Sequence, residues 1–306
     1  MTIEQKVIDW RRHLHKHPEF GTEEYKTSEF VANKLEEFGL DVHRGIGGTG
    51  VVGILKCGDS ERSIGLRADM DALRICEANT FDHASVHEGA MHACGHDGHT
   101  AMLLGAACEL SKNKNFDGTV YFIFQPDEER GTGAKAMIED GLFTRWHMDA
   151  IYAMHNLPGI PEGQFLTRPS SLMASESSFE IDVIATGGHA AMPHMGTDPI
   201  VVGAQIVTAM QTIVSRNLSA INETAVISVT EFATNGTVNV IPSQVKITGD
   251  TRSFTDEALH KIEKAIERIV AGQCMSAGVD YKYHFNNSFL STINTPEETA
   301  HAIKAA

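Results

Sequence analysis

The sequence contains little cysteine and no closely spaced cysteine pair. Its five cysteines are scattered along 306 residues, at Cys57, Cys76, Cys94, Cys108 and Cys274. A structural zinc site made of four cysteines, or of two cysteines and two histidines, needs paired ligands a few residues apart, so both kinds of site are excluded. Unpaired cysteines in a chain without an export signal predict reduced thiols and a cytoplasmic protein.

Long apolar runs and an excess of positive charge are also absent. No apolar run is long enough to cross a bilayer, so we expect no membrane association. The chain has 25 lysines and arginines against 40 aspartates and glutamates, which gives a net charge of −15. This acidic balance lacks the basic surface that binds nucleic acid or anionic membranes, and we expect neither partner.

The N-terminal segment lacks the apolar core of a signal peptide. Its apolar residues recur at helical spacing and predict an amphipathic helix; they are Ile3, Val7, Trp10 and Leu14. With 306 residues, of which 42% are hydrophobic, the chain is large enough for about two domains with full cores.

The first half of the chain alternates short apolar strands with helices. We predict helices near 3–15, 25–38, 100–110 and 133–140, and strands at 51–56, 63–68, 119–124 and 150–154. This alternation is typical of an α/β domain with a mostly parallel sheet.

The pattern changes near residue 178. We predict strands at 179–186, 224–232, 238–252 and 279–285, and helices at 199–216 and 255–272. The order β-α-β-β-α-β is that of the ferredoxin-like arrangement. We therefore expect a second domain at 178–290, inserted into a first domain that spans 1–177 and resumes at 291–306.

One stretch, MHACGHDGHT at 91–100, gathers three histidines, a cysteine and an aspartate around two glycines. With 16 histidines in the chain, a chance cluster around a buried cysteine is the alternative. Cys94 and His96 are one residue apart on a glycine-hinged loop, so both side chains can turn toward one centre. A thiolate can bridge two cations, and its pKa falls beside a metal. The stretch therefore favours a metal site with mixed ligands.

Polar residues also follow the predicted strands. Asp69 ends one strand, Glu128 and Glu129 follow the next, and His155 follows a third. Ligands of open α/β sheets bind at the carboxyl ends of strands, so these residues are expected to meet the Cys94 loop at one edge. The side chains of two adjacent glutamates point in opposite directions on a regular strand, so they cannot share one role. The simplest assignment is that one glutamate is a metal ligand and the other is a general base. A solvated acidic turn is the alternative.

At this point the motifs resemble the aminoacylase/carboxypeptidase family of di-metal amidohydrolases. The resemblance rests on LRADMDAL, MHACGHDGHTAMLLGAA, FQPDEE and MHNLPG, with RRHLHKHPEFGTEE before them and GGHAAMPHMGTDPI and NVIP after them. It is strongest to the subgroup that contains hippurate hydrolase, indoleacetyl-amino-acid hydrolase and N-acyl-amino-acid deacylases. It implies hydrolysis of the amide bond of N-acyl amino acids and a homodimer formed through the second, lid domain.

The resemblance also assigns roles to residues. It implies two divalent ions, manganese or zinc with nickel or cobalt also compatible, and the metal ligands Cys94, His96, Glu129 and His155. It makes Glu128 the general base. In lesser roles, it lets Asp69 orient a ligand, His189 reach the substrate, and Asn239 and Arg252 hold a substrate carboxylate; capping, turn and structural roles are the alternatives for these four residues.

Two departures from the family pattern stand out. QPDEE replaces the usual QPAEE, and the chain stops at Ala306, where the family continues to a late histidine that completes the second metal site. This ending raises a competing interpretation, a truncated or non-catalytic metal-binding member. A third interpretation is a nucleophilic hydrolase that uses Cys94 and His96, although two residues so close in sequence suit a metal better than an aligned nucleophile and base.

Overall fold

The structure is a computed structural model that describes all 306 residues. The chain forms two compact units, residues 1–163 and residues 164–306. No helix is long and apolar enough to cross a membrane.

The first unit is a five-stranded sheet with helices on both faces. Its helices are α1 (Ile3–Lys16), α2 (Tyr25–Glu37), α3 (His96–Lys112), α4 (Gly133–Glu139) and α5 (Leu142–Arg145), and its strands are β1 (Asp41–Ile46), β2 (Gly50–Cys57), β3 (Ser63–Asp69), β4 (Gly118–Gln125) and β5 (Ala150–Ala153). The strand order is β1-β2-β4-β3-β5.

The central strand β4 shows why helices cover both faces. Phe122 and Phe124 are fully buried on the side of α2 and α3, where Leu35 and Leu104 belong to the same cluster. The intervening Ile123 faces the opposite side and packs in a smaller cluster with residues of α4 and α5. Because side chains alternate along a strand, a continuous apolar run is buried on both faces.

The prediction of a mostly parallel sheet was wrong, because the sheet is mixed. β3 pairs in parallel with β4 and β5, but β2 pairs antiparallel with both β1 and β4. β1 and β2 form a hairpin through Gly47 and Gly48, both at positive φ, and this tight connection forces the antiparallel direction. The three strands that precede the polar residues are mutually parallel, so their carboxyl ends do lie at one edge.

The predicted helix at 100–110 begins earlier in the structure. α3 begins at His96, and Gly95 at φ 94° is its N-cap. His96, Asp97 and His99 therefore lie in the first turns of α3 rather than in the preceding loop. A side chain at Gly95 would also collide with Asn156, since an added Cβ would lie 2.2 Å from its Oδ1 atom. Glycine satisfies both requirements at this position.

The second unit contains a four-stranded antiparallel sheet with two long helices. Its main elements are β7 (Glu176–Ile184), α6 (Pro199–Thr212), β9 (Ala225–Thr234), β11 (Gln244–Ser253), α7 (Asp256–Ala277) and β12 (Asp280–Phe289). Its shorter elements are β6 (Ser170–Met173), β8 (Gly188–His189), β10 (Val240–Ile241), β13 (Thr292–Asn294) and α8 (Pro296–Ala305), together with a 3₁₀ turn at Pro193–Met195 and a π-helical turn at Ile213–Asn217.

The four-stranded sheet has the strand order β12-β7-β11-β9. Ile181, Ile206, Ile247, Ile262 and Ile266 are fully buried in one cluster between this sheet and its helices. The strand predicted at 238–252 is interrupted in the structure, because Pro242 has no N–H to donate and separates β10 from β11.

A buried histidine ties α1 to the rest of the first unit. His15 Nδ1 lies 2.9 Å from Asp97 Oδ2, and His15 Nε2 lies 3.1 Å from Glu77 Oε1. Both ring nitrogens thus face carboxylates, which favours the imidazolium form. The hydrogen bond to Asp97 is the main cause that raises the pKa of His15, against the effect of burial.

Replacing His15 by glutamine is expected to destabilise the first unit in a pH-dependent way. A raised pKa contributes stability below the unfolded value of about 6.5, and this contribution is lost as the pH rises through the folded value. The free energy of unfolding should fall by about 2–3 kcal/mol near pH 5.5, with a smaller loss at pH 8.5. Urea unfolding followed by tryptophan fluorescence measures this, since Trp10 and Trp146 both lie in the first unit.

His43 provides the matched control, because it pairs with Asp41 at 3.4 Å on the surface. His43→Gln should change stability by about 0–1 kcal/mol. If His15→Gln loses as much or more free energy of unfolding at pH 8.5 as at pH 5.5, the charged state that we assign to His15 is contradicted.

Candidate metal centre

The candidate ligands meet at the carboxyl edge of the parallel strands β3, β4 and β5. Asp69 ends β3, Glu128 and Glu129 follow β4, and His155 follows β5, while His96 begins α3. Thr100 fixes the start of α3 to this edge, because its hydroxyl donates a 2.7 Å hydrogen bond to the Asp69 carbonyl.

His96 is the centre of the cluster and is fully buried. Three groups of side chains place their donor atoms within 4.8 Å of one another: Cys94, His96 and His155; Asp69, His96 and His99; and His96, Glu128 and Glu129. His96 is the only residue common to all three. The structure thus brings together the four residues predicted as ligands and the predicted general base around one imidazole.

Asp71 orients this imidazole, whereas the resemblance suggested Asp69 as the residue that orients a ligand. His96 Nδ1 lies 2.9 Å from the Asp71 carbonyl and 3.1 Å from its carboxylate, so it donates to Asp71. The other oxygen of Asp71 accepts a 3.0 Å hydrogen bond from the backbone N–H of Glu129. The spacing of RADMD contained the signal, since a strand that ends at Asp69 leaves Asp71 free to turn toward the site.

Asp69 makes different contacts. Its carboxylate accepts hydrogen bonds from Arg67 and from His99 Nδ1, both at 2.7 Å, and lies 3.7 Å from His96 Nε2. Burial opposes the ionised form, but the hydrogen bond from His99 and the charge of Arg67 outweigh it and lower the pKa of Asp69. His99 Nε2 lies 2.6 Å from the Asn156 Oδ1 atom and 3.1 Å from the Asn156 backbone nitrogen, so both nitrogens of His99 are engaged.

The two glutamates point toward the same atom. Glu128 Oε2 and Glu129 Oε1 each lie 3.8 Å from His96 Nε2. The argument from alternating strand directions does not apply, because β4 ends at Gln125 and both glutamates lie in a turn. Burial is the main cause that raises the pKa of each glutamate, against the attraction of His96.

Cys94 and His155 form a close pair beside His96. The Cys94 Sγ atom lies 3.3 Å from His155 Nε2. This contact lowers the pKa of the Cys94 thiol and raises the pKa of His155 to about 9. A thiolate is the form of cysteine that binds metal, so the surroundings favour the reactive form.

The donor atoms around His96 fit divalent metal ions. Because Nδ1 donates to Asp71, Nε2 is the nitrogen that can bind a cation, and it faces the carboxylates. Against the effect of burial, the hydrogen bond to Asp71 and the nearby carboxylates raise the pKa of His96 to about 11, and an ion bound at Nε2 would replace its proton. His96 Nε2 and Glu129 Oε1 are both buried without a hydrogen-bond partner. Such atoms cost about 1–3 kcal/mol each when they remain unpaired, and a cation bound between them would satisfy both. Thiolate, imidazole and carboxylate together suit zinc and manganese alike.

The remaining predicted residues lie in the second unit. The structure brings His189 and Asn239 together, because β8 and β10 pair through His189 and Val240 and the Asn239 carbonyl accepts from Ala190 N–H at 3.0 Å. His189 and Asn239 are both exposed. Arg252 lies on β11, where its guanidinium contacts Glu176 at 2.6 Å and Asp250 at 3.0 Å.

Known proteins resemble the chain along nearly its whole length. Hippurate hydrolase of Campylobacter jejuni is 41% identical over 296 residues, which are 97% of this chain and 77% of that protein. N-acyl-L-amino acid amidohydrolase of Geobacillus stearothermophilus is 40% identical and covers 96% of this chain and 80% of its own length.

A solved structure has the same fold. The YXEP protein of Bacillus subtilis, described as a dinuclear metal binding peptidase from the M20 family, superposes with a TM-score of 0.84 at 31% identity and covers 99% of this chain and 80% of its own. Residues 65–306 match the family described as Peptidase family M20/M25/M40. The chain therefore belongs to Peptidase family M20/M25/M40, a family of hydrolases.

Proposed function

We propose that this protein is a metal-dependent amidohydrolase that releases the acyl group from N-acyl amino acids. The buried His96 Nε2 atom carries the proposal, because it faces Glu128 and Glu129 at 3.8 Å and has no hydrogen-bond partner. The names of the relatives support an acetyl, benzoyl or similar acyl group. They also favour a catalytic protein over a non-catalytic metal-binding member.

Cys94, His96, Glu129 and His155 would hold two divalent ions. When bound, the ions polarise the amide carbonyl and lower the pKa of the attacking water. Asp71 keeps the His96 lone pair directed at the centre through the hydrogen bond from Nδ1.

Glu128 would act as the general base and then as the general acid. Its carboxylate takes a proton as the water oxygen attacks the amide carbon, and it returns that proton to the nitrogen as the carbon–nitrogen bond breaks. The products are a carboxylic acid and a free amino acid. Burial raises the pKa of Glu128, which brings it closer to the pKa that suits proton transfer near neutral pH.

We further propose that residues 178–290 form a ferredoxin-like lid and dimerisation domain of a cytoplasmic homodimer, inserted between 1–177 and 291–306. The four-stranded sheet and its two helices support this assignment. His189, Asn239 and Arg252 would bind the substrate. Arg252 must release Glu176 or Asp250 to grip a carboxylate, because both acidic groups contact its guanidinium.

The test is hydrolysis of benzoylglycine by the chain loaded with manganese or zinc. Release of glycine, measured by amine detection, should require the metal and should stop when a chelator removes it. N-acetyl amino acids tested in parallel would define the acyl preference. Full turnover after verified removal of all metal would contradict the proposal.

The close Cys94–His155 pair favours a second candidate function, hydrolysis by a thiolate nucleophile. That reaction would survive chelation and would stop when iodoacetamide alkylates Cys94. The metal-dependent reaction would instead stop when a chelator removes the metal, so the same assay distinguishes the two functions.

A further inference from the structure

Two buried carboxylates lie close to Glu128 and Glu129 and take no part in the proposed hydrolysis. Glu24 and Asp127 are both fully buried. Glu24 Oε1 accepts a 2.8 Å hydrogen bond from the backbone N–H of Asp127, although 103 positions separate them in the chain. Glu24 Oε2 accepts a 2.6 Å hydrogen bond from the Thr49 hydroxyl. The carboxylate of Glu24 thus connects the turn between β1 and β2 to Asp127.

Asp127 immediately precedes Glu128 and has an unusual backbone conformation. Its φ angle is 48°, in the left-handed region that non-glycine residues seldom occupy. Its carboxylate accepts hydrogen bonds from Arg130 Nε and from the Thr132 hydroxyl, and its carbonyl accepts from Gly133 N–H at 3.1 Å. These bonds close the turn at 127–133 on itself, and the bond to Glu24 anchors its first residue.

The N-terminal segment also packs closely against this turn. A Cβ atom added to Gly21 would lie 1.9 Å from Asp127 Oδ1, so only glycine fits there. Arg130 Nη2 donates to the Gly21 carbonyl at 3.0 Å. The 127–133 turn therefore packs tightly against the N-terminal segment around Gly21.

We propose that Glu24 is a positioning residue that holds the 127–133 turn in the conformation that aims Glu128 and Glu129 at His96. Its side chain contacts neither the candidate ligands nor the candidate base, and it acts through the backbone N–H of Asp127. This inference rests on the function proposed for Glu128 and Glu129.

Helix α2 does not need the Glu24 side chain, although Glu24 is its N-cap residue. The side chain makes no capping hydrogen bond to the helix. Glu19 serves the helix instead, because its carboxylate accepts from the backbone N–H groups of Lys26 and Thr27 at 3.2 and 2.8 Å. Glu24 thus supports the 127–133 turn, and Glu19 supports the start of α2.

The experiment compares Glu24→Ala, Glu24→Gln and Glu19→Ala in the metal-loaded full chain. Glu24→Ala removes the acceptor for Asp127 N–H, so kcat for benzoylglycine should fall about 10- to 100-fold with KM nearly unchanged. Glu24→Gln keeps a carbonyl oxygen at this place and should restore most of the rate. Glu19→Ala should lower thermal stability and keep the wild-type kcat.

Amide hydrogen exchange followed by mass spectrometry provides a readout that does not depend on activity. Glu24→Ala should speed exchange in the 127–133 turn about tenfold or more, as expected for the loss of a hydrogen bond to a charged group. Glu19→Ala should speed exchange at the start of α2 and leave the turn unchanged.

Each other outcome overturns the inference. The inference fails if Glu24→Ala keeps the wild-type kcat. It also fails if kcat falls as much in Glu24→Gln or in Glu19→Ala as in Glu24→Ala, because the hydrogen bond to Asp127 would then not be the cause of the loss. If the wild-type chain hydrolyses no acyl amino acid, the proposed function fails on its own. The exchange rate of the turn in Glu24→Ala then decides whether Glu24 positions it.

Discussion

Glu128→Gln is expected to lower kcat for N-acyl amino acids about 100- to 10,000-fold and to leave the metal content unchanged. Glutamine has nearly the shape of glutamate but cannot take up and return a proton. The Glu128 carboxylate lies 3.8 Å from His96 Nε2, beside the proposed metal centre. Steady-state kinetics and elemental analysis of the same preparation measure both quantities.

Glu129→Gln is the informative comparison for this prediction. The Oε1 atom of Glu129 is buried and lacks a hydrogen-bond partner, as expected of a ligand, so Glu129→Gln should lose metal as well as rate. Glu139→Gln, at an exposed position of α4, should change neither quantity. Near-normal turnover in Glu128→Gln would show that another group moves the proton.

The structure brings the predicted site residues close together because most of them follow strands. β3, β4 and β5 are short and apolar, and each is followed by polar residues within a few positions. Since these three strands are parallel, their ends had to meet at one edge. The error about the remaining strands did not disturb the site, because β1 and β2 carry none of its predicted residues.

Contacts between distant segments explain what the sequence could not predict. Asp71 and His96 are 25 positions apart, and Glu24 and Asp127 are 103 positions apart. No local periodicity relates such pairs, so the supporting hydrogen bonds become visible only in the folded chain. The early start of α3 has a local cause, since a left-handed glycine, Gly95, serves as its N-cap.

His96→Ala is expected to abolish tight binding of the metal ion that its Nε2 atom would coordinate. Loss of a residue that merely orients a ligand costs about 10- to 100-fold in metal affinity, so loss of the ligand itself should exceed that range. His96 belongs to all three groups of donor atoms, whereas His155 belongs to one. His155→Ala should therefore weaken one ion selectively and leave the other bound through His96 and Glu129.

Elemental analysis gives the metal stoichiometry of both variants, and isothermal titration calorimetry gives their affinities. The expected number of tightly bound ions is one for each variant, and hydrolysis of benzoylglycine should fall in both. His147→Ala, whose side chain is 80% exposed, should match the wild type. Two tightly bound ions in His96→Ala would contradict its role as a ligand. Because Nδ1 of His96 donates to Asp71, only Nε2 can coordinate a cation, so we expect His96→Ala to lose one ion and to keep the other.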